Sequence, residues 1–235
     1  MDVLPISRTY HVTEKISAKP SKRILLPYMP VEFFTGQSAQ RIRVEQFIKT
    51  SFAHHYQANV TYFLPYLLAT IAEGDITGAI GFQRAQDQAL FLEQYLDAPI
   101  EDEIFQVCGE LIKRQDIVEI GNLTSIHPGT SHLLFVLVIA ILAEAGYEWA
   151  VFTATRQVKK ILRRLGIDTL SLCEAKPELL PDGGSSWGSY YKNRPSVTVG
   201  NLLEARALLT SHPVTAFMMD KYQQDILTIA QQLGC

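Results

Sequence analysis

No apolar run in the 235-residue sequence is long enough to cross a bilayer. The longest, Leu133 to Ala143, has 11 residues, against the ~20 a spanning helix needs, so a buried helix is expected there. The opening Met1-Asp2-Val3-Leu4-Pro5 lacks the basic stretch and apolar run of a secretory leader. Cysteine is scarce: Cys108, Cys173 and Cys235 are odd in number and far apart. They form neither a disulfide framework nor a metal-ligand spacing, so a reducing, cytoplasmic setting is expected. Charge of one sign is also missing. With 21 Lys+Arg against 24 Asp+Glu, the formal charge is −3, which argues against a chain built to coat nucleic acid. There is no internal repeat or low-complexity segment.

What remains is an ordinary globular mixture, 47% hydrophobic and 19% charged, at a length suited to one large α/β domain. Residues 1–37 are broken by Pro5, Pro20, Pro27 and Pro30 and read as an irregular arm, with one strand expected at Arg23–Leu26. The main domain is expected over 38–200, and a helical tail, interrupted at Pro213, over 201–235. A helix from Ser38 to Ala58 should bury Ile42, Phe47, Ile48 and Phe52. Tyr66–Ala72 and Ile76–Gln83, joined by Glu73-Gly74-Asp75, read as a hairpin. Ala89–Leu96 reads as a third strand. A helix should open at Asp97-Ala98-Pro99 and hold Lys113 and Arg114 in its last turn, since proline suits a first turn and cations suit a C-terminus.

The clearest stretch is a strand over Asp116–Ser125, a loop at His127-Pro128-Gly129-Thr130, and an apolar helix over Ser131–Ala145. A strand over Glu148–Thr155 and a basic helix over Gln157–Leu165 follow. This is strand–helix–strand–helix at the length of a βαβ unit. Residues 168–200 read as β-like, interrupted at Asp182-Gly183-Gly184. Adjacent His54 and His55 point about 100° apart on a helix, so no metal site is expected. Asp116, His127 and Ser131 form no hydrolase arrangement, and no Gly-x-Ser-x-Gly elbow is present.

Strands before a central strand–loop–helix unit, then one more strand and helix, resemble the GNAT acyltransferases. The resemblance implies a GNAT-like mixed sheet flanked by helices, with an acyl thioester between two splayed parallel strands. On that reading Leu123, Thr124 and Ser125 face the donor's pantetheine. Gly129, Thr130, Ser131 and His132 offer backbone N–H groups to an anion at a helix start. Ile126 and Ser131 stand at the outer positions of the loop, where the GNAT pattern has other residues. Both acyl-CoA and the phosphopantetheine of an acyl carrier protein therefore stay open as donors. The basic residues Lys159, Lys160, Arg163 and Arg164 could meet phosphate or an acidic carrier.

Four segments are similar to the thermostable hemolysin family: Leu90–Glu101, Val118–Leu123, Phe152–Thr155 and Trp187-Gly188-Ser189-Tyr190-Tyr191. That family is expected to be GNAT-like. Its name also raises a membrane-active protein, for which the sequence offers no export signal; a non-catalytic acyl-ligand binder is a third reading. A weaker similarity runs to the acyl-homoserine lactone synthases. Those carry Glu-x-Ser-Arg where this chain has Glu119-Ile120-Gly121-Asn122, and their conserved arginine corresponds to Arg84.

Acyl transfer to an amine needs a base, an oxyanion site and a proton for the leaving thiolate. A carboxylate on a half-buried strand can serve as base, because desolvation raises its proton affinity. Glu119 and Glu93 are the candidates, and both are expected to face one cleft. Backbone N–H groups beside Leu123 or Thr124 are candidates for the oxyanion site, and Tyr190 or Tyr191 for the proton donor. Arg84, Tyr95, Asp97, Asn122 and Trp187 are candidates for binding a small-molecule amine or amino acid.

Overall fold

The computed structural model describes residues 28–234; the strand expected at Arg23–Leu26 lies outside them. The strands are β1 (Val31–Phe34), β2 (Tyr66–Ala72), β3 (Asp75–Arg84), β4 (Ile117–Ser125), β5 (Trp149–Ala154), β6 (Leu170–Glu174) and β7 (Ser196–Asn201). The helices are α1 (Arg41–Tyr56), α2 (Ile100–Cys108), α3 (Pro128–Glu144), α4 (Arg156–Arg164), α5 (Leu202–Ser211), α6 (Pro213–Lys221) and α7 (Gln223–Leu233). The strands form one sheet in the order β1-β2-β3-β4-β5-β7-β6. Only the β4–β5 pair is parallel, and α3 is the crossover between those two strands.

Helix α3 is apolar on every side, with Leu134, Val136, Val138, Ala140 and Leu142 fully buried. Such a helix needs cover all round. The sheet supplies it on one side. On the other, Leu202, Ala205, Leu209, Tyr222, Ile226, Ile229 and Leu233 join the same core. The helices beyond Asn201 thus roof α3. Asn201 caps α5, its Oδ1 accepting from the N–H groups of Leu203 (2.9 Å) and Glu204 (3.0 Å), and Pro213 starts α6 at its first turn.

The opposite face carries α1, whose Val44, Ile48 and Phe52 are buried with Leu67, Ala69 and Ala79. Ile42, expected on that face, is 67% exposed. Arg41 is buried in its stead, its guanidinium donating to the carbonyls of Leu64 (2.6 Å) and Pro65 (2.5 Å). A charged residue is therefore inside with its donors satisfied, by irregular backbone and by Glu45 at 2.6 Å.

Three further expectations are corrected. Val31–Phe34, read as arm, is an edge strand paired with β2 from Val31↔Thr70 to Phe34↔Leu67. Ala89–Leu96 is not a strand; Phe91–Tyr95 winds as a 3₁₀ turn because two carboxylates hold its N–H groups, as described below. Helix α2 stops at Gly109, where φ is +74°, a left-handed end that glycine adopts without strain. Lys113 and Arg114 therefore lie beyond it, with Arg114 in a separate 3₁₀ turn.

Candidate active site

Strands β4 and β5 pair only from Ile117↔Trp149 to Ile120↔Phe152, yet β4 runs on to Ser125 and β5 to Ala154. The ladder ends at Ile120↔Phe152 and the strands diverge beyond it, a splay of the kind that the GNAT resemblance implies. A bulge in β4 accompanies the divergence. Gly81 pairs with Gly121 and Ala79 with Thr124, so Asn122 and Leu123 together oppose Ile80 alone. Asn122 takes φ +51°, a left-handed conformation that asparagine tolerates better than most residues. The extra residue reverses which face each later side chain takes. Before it, Val118 and Ile120 pack into the α3 core; after it, Leu123 does, and Ser125 Oγ meets Ser131 Oγ of α3 at 2.6 Å. Thr124, conversely, turns to α1 and hydrogen-bonds Ser51.

Glycines at the bulge admit a third partner. A Cβ on Gly121 would lie 2.9 Å from Leu64 Cδ1, and one on Gly81 3.0 Å from Asn122 Oδ1. The irregular segment before β2 packs into that space. Asn122 fixes it, accepting from the Leu64 N–H (2.8 Å) and donating to the Tyr62 carbonyl (3.3 Å). Tyr62 is thereby held over the site, its hydroxyl donating to Gln83 at 2.8 Å.

Around the splay lies a cavity of about 820 Å³. Glu119 is its one acidic wall residue, 4% exposed. Its carboxylate accepts from the N–H groups of Phe91 (2.7 Å) and Leu92 (3.1 Å). Burial pushes its pKa up to about 8; those two hydrogen bonds oppose the rise, and the charge of Glu93 adds to it. A carboxyl group titrating near neutrality inside a cavity can both take and return a proton.

The cavity is strongly aromatic. Phe52, Tyr56, Tyr62, Phe91, Tyr95 and Trp187 contribute, with Tyr190 and Tyr191. Tyr95 and Tyr191 join through their hydroxyls at 2.5 Å. Tyr190 reaches the Thr153 carbonyl at 3.4 Å, and burial raises its pKa far above the ordinary value. The segment carrying these rings is tied to the end of α1: Ser189 N–H donates to Tyr56 O (2.7 Å) and Asn59 N–H to Ser186 O (2.6 Å). Between them Gly188 takes φ +53°, and a Cβ there would fall 2.1 Å from Tyr56 O.

Of the residues singled out in the sequence, Glu119, Tyr95, Asn122, Leu123, Thr124, Ser125, Ser131, Trp187 and Tyr190 line this cavity. Five do not. Glu93 faces away, held by Arg114 through 2.7 and 2.8 Å contacts and by the N–H groups of Leu90 (2.8 Å) and Ile100 (3.2 Å). Asp97 is exposed in a separate shallow pocket beside it. Arg84 pairs with Asp87 at 2.7 Å and lies over the Tyr66 ring. Thr130 is buried against Gly78 of β3, and Gly129 is exposed outside the wall. The expectation that Glu93 shares a cleft with Glu119 is thus corrected: its lone pairs are used by backbone and guanidinium.

Tyr62, Phe91 and Ser51 were not site candidates, and His55 was weighed only as a metal ligand, yet all line the cavity. They come from irregular chain or from the α1 face, where no periodic pattern marks a site. Lys160 and Arg164, on exposed positions of α4, reach the cavity, as does His132 of α3. Among the described residues no group of three His, Cys, Asp or Glu is placed to hold a metal. No helix among them is long and apolar enough to cross a membrane.

The mixed sheet, the β4–β5 splay and the flanking helices define a GNAT-like α/β domain. The sequence profile of the thermostable hemolysin family matches residues 34–206, and the chain belongs to that family. Solved structures share the fold at low identity. The acyl-homoserine lactone synthase LasI matches with a TM-score of 0.51 and 11% identity over 74% of this chain and 90% of its own. FeeM, an N-acyl amino acid synthase from uncultured soil microbes, matches at 0.52 and 11% over 80% and 97%. BjaI, a CoA-dependent acyl-homoserine lactone synthase, matches at 0.50 and 9% over 87% and 100%. No curated protein matches the sequence.

Proposed function

We propose that this protein is an N-acyltransferase, moving an acyl group from a pantetheine thioester to the amine of a small molecule. The observation that carries the reading is the buried Glu119 in a cavity formed where the parallel ladder stops at Ile120↔Phe152. Backbone beyond that pair is released from the ladder and can hydrogen-bond an extended amide-bearing arm. Structures sharing this fold are described as acyl-homoserine lactone and N-acyl amino acid synthases, one of them CoA-dependent and solved with isopentyl-CoA, which supports the same chemistry here.

In the proposed reaction Glu119 takes a proton from the acceptor ammonium. The freed amine attacks the thioester carbonyl, forming the C–N bond, and the C–S bond breaks to release thiolate. Backbone N–H groups at the Asn122–Thr124 bulge stabilise the oxyanion. The nitrogen loses its second proton and the thiolate gains one, so the products are an amide and a free thiol. Tyr190 stays protonated at working pH, and its hydroxyl turns from the Thr153 carbonyl to donate toward the sulfur. Lys160 and Arg164 receive the donor's anionic end: CoA phosphates, or the acidic surface of an acyl carrier protein. Ser125 and Ser131 lie beside that path.

The test compares thiol release and amide formation by wild type and Glu119→Gln, with acyl-CoA and acyl carrier protein as donors. A positioned base contributes about 10²–10⁴-fold, so the variant should lose most turnover with donor affinity nearly unchanged. Full activity in Glu119→Gln would overturn the assignment of the base.

A further inference from the structure

The surroundings of Glu119 say more about the acceptor than the acyl-transfer reading alone does. Tyr62, Phe91 and Tyr95 share the cavity wall with Glu119. Phe91 supplies one of its N–H partners, and Glu119 raises the pKa of both Tyr62 and Tyr95. Tyr62 stacks on Phe91 at 5.4 Å and 25°, and Trp187 lies 5.6 Å from Phe91 on another side. The polar ends of these tyrosines are already engaged: Tyr62 with Gln83, and Tyr95 with Tyr191. What they present to a ligand is ring surface.

Charge near Glu119 is one-sided. Among the described residues it has no basic partner, and the charge that shifts it most is another carboxylate, Glu93. The cavity's strong cations, Lys160, Arg164 and Lys192, sit on exposed residues. An α-amino acid brought to Glu119 by its ammonium would carry its own carboxylate into this aromatic, cation-poor end. Above about pH 8, where Glu119 is ionised, two carboxylates would then share low-dielectric space with one ammonium between them. A simple amine meets no such penalty: its ammonium is attracted both by Glu119 and by the ring faces, and a flat apolar substituent can pack against the cavity-facing surfaces of Phe91 and Trp187.

Resting on the acyl-transfer reading, we propose that the acceptor is an arylalkylamine without a carboxylate, bound through Glu119 and the Tyr62–Phe91–Tyr95–Trp187 rings. One decanoyl thioester, presented as CoA or on a carrier protein, is offered with phenethylamine, tyramine, phenylalanine, tyrosine, phenylalanine amide and butylamine. Thiol release and the N-acyl product are measured, and direct titration of each amine into the protein gives its affinity. Phenethylamine and tyramine should exceed phenylalanine and tyrosine by about 100-fold in kcat/KM, with the neutral amide recovering most of the loss. Butylamine should fall below phenethylamine for lack of a ring, and that gap should shrink in Trp187→Leu. Equal or better use of the free amino acids overturns the proposal, as does butylamine matching phenethylamine. Thiol release with amino acids alone sinks the acceptor assignment and leaves acyl transfer standing. If no amine gives product, acyl transfer falls, and titration still decides whether the pocket prefers arylalkylamines.

Discussion

Glu119 and Glu93 hold the same 3₁₀ turn: Glu119 accepts from the N–H groups of Phe91 and Leu92, and Glu93 from that of Leu90. The two carboxylates resemble an acid–base pair in sequence, but their environments separate them. Arg114 neutralises Glu93, and its pKa falls below the ordinary carboxylate value despite burial. Glu119 has no such cation, and its pKa rises to about 8. One is a fixed structural anion and the other a group able to titrate near neutral pH.

The pH dependence of rate should therefore follow Glu119. With the base protonated at low pH, kcat/KM should climb as pH rises through about 8. Glu119→Gln should remove that limb. Stability has the opposite sign. The folded state holds the Glu119 proton from the carboxylate's ordinary 4.5 up to about 8, so stability falls as pH climbs through that window. Relative to wild type, Glu119→Gln should gain melting temperature between about pH 5 and pH 9; a pH-independent difference would contradict the shift.

For Glu93 the expected loss is in folding. Arg114 links Glu93 and Glu101 and donates to the Ala85 carbonyl at 2.9 Å. Arg114→Met should cost about 1.5–3 kcal/mol, the range for hydrogen bonds to charged groups, measured by urea unfolding. Glu93→Gln should act likewise. Because its folded pKa is depressed, the Glu93 contribution is present above its unfolded value and should fade as the solution is acidified below it. Acceptor KM per folded enzyme should barely change; a large KM effect would restore Glu93 to the site.

Gly188→Ala tests the aromatic segment. Backbone strain alone at such a conformation is worth about 1–3 kcal/mol, and the clash with Tyr56 O adds to it. The melting temperature should drop, and ligand-induced quenching of Trp187 fluorescence should weaken beyond what the fraction folded explains. Unchanged melting and quenching would show that the segment relaxes freely.

Charge reversal at the α4 rim, Lys160→Glu with Arg164→Glu, should weaken acyl-CoA binding about 10–100-fold at low salt, with the loss shrinking as salt rises. Unchanged CoA affinity with weakened carrier-protein affinity would assign this face to a carrier.

Much of the sheet was legible because its strands alternate or run apolar between turn residues, as β2, β3 and β5 do. The site was harder to read. Phe91–Tyr95 carries the β-branched-poor but aromatic look of a strand, and it winds as a turn once Glu93 accepts from Leu90 and a distant carboxylate on β4 takes the next two N–H groups. The Glu119 part of that hold has no local pattern. The bulge at Asn122 likewise hides in an unbroken strand-like run, although it decides that Thr124 faces α1 and Ser125 faces α3. Tyr62 reached the site through the amide of Asn122, a contact between segments that sequence spacing does not record.

The roof over α3 bears on how the chain is made. Strands β4 and β5 flank a helix with no polar side, and the helices that cover its outer surface follow β7 in the chain. A nascent chain that has emerged only through β5 exposes a continuous greasy rod. Until α5 and α7 arrive, the growing polypeptide is a natural client for chaperones that hold apolar helices, and a stop codon before Leu202 would leave that client with no way to be released.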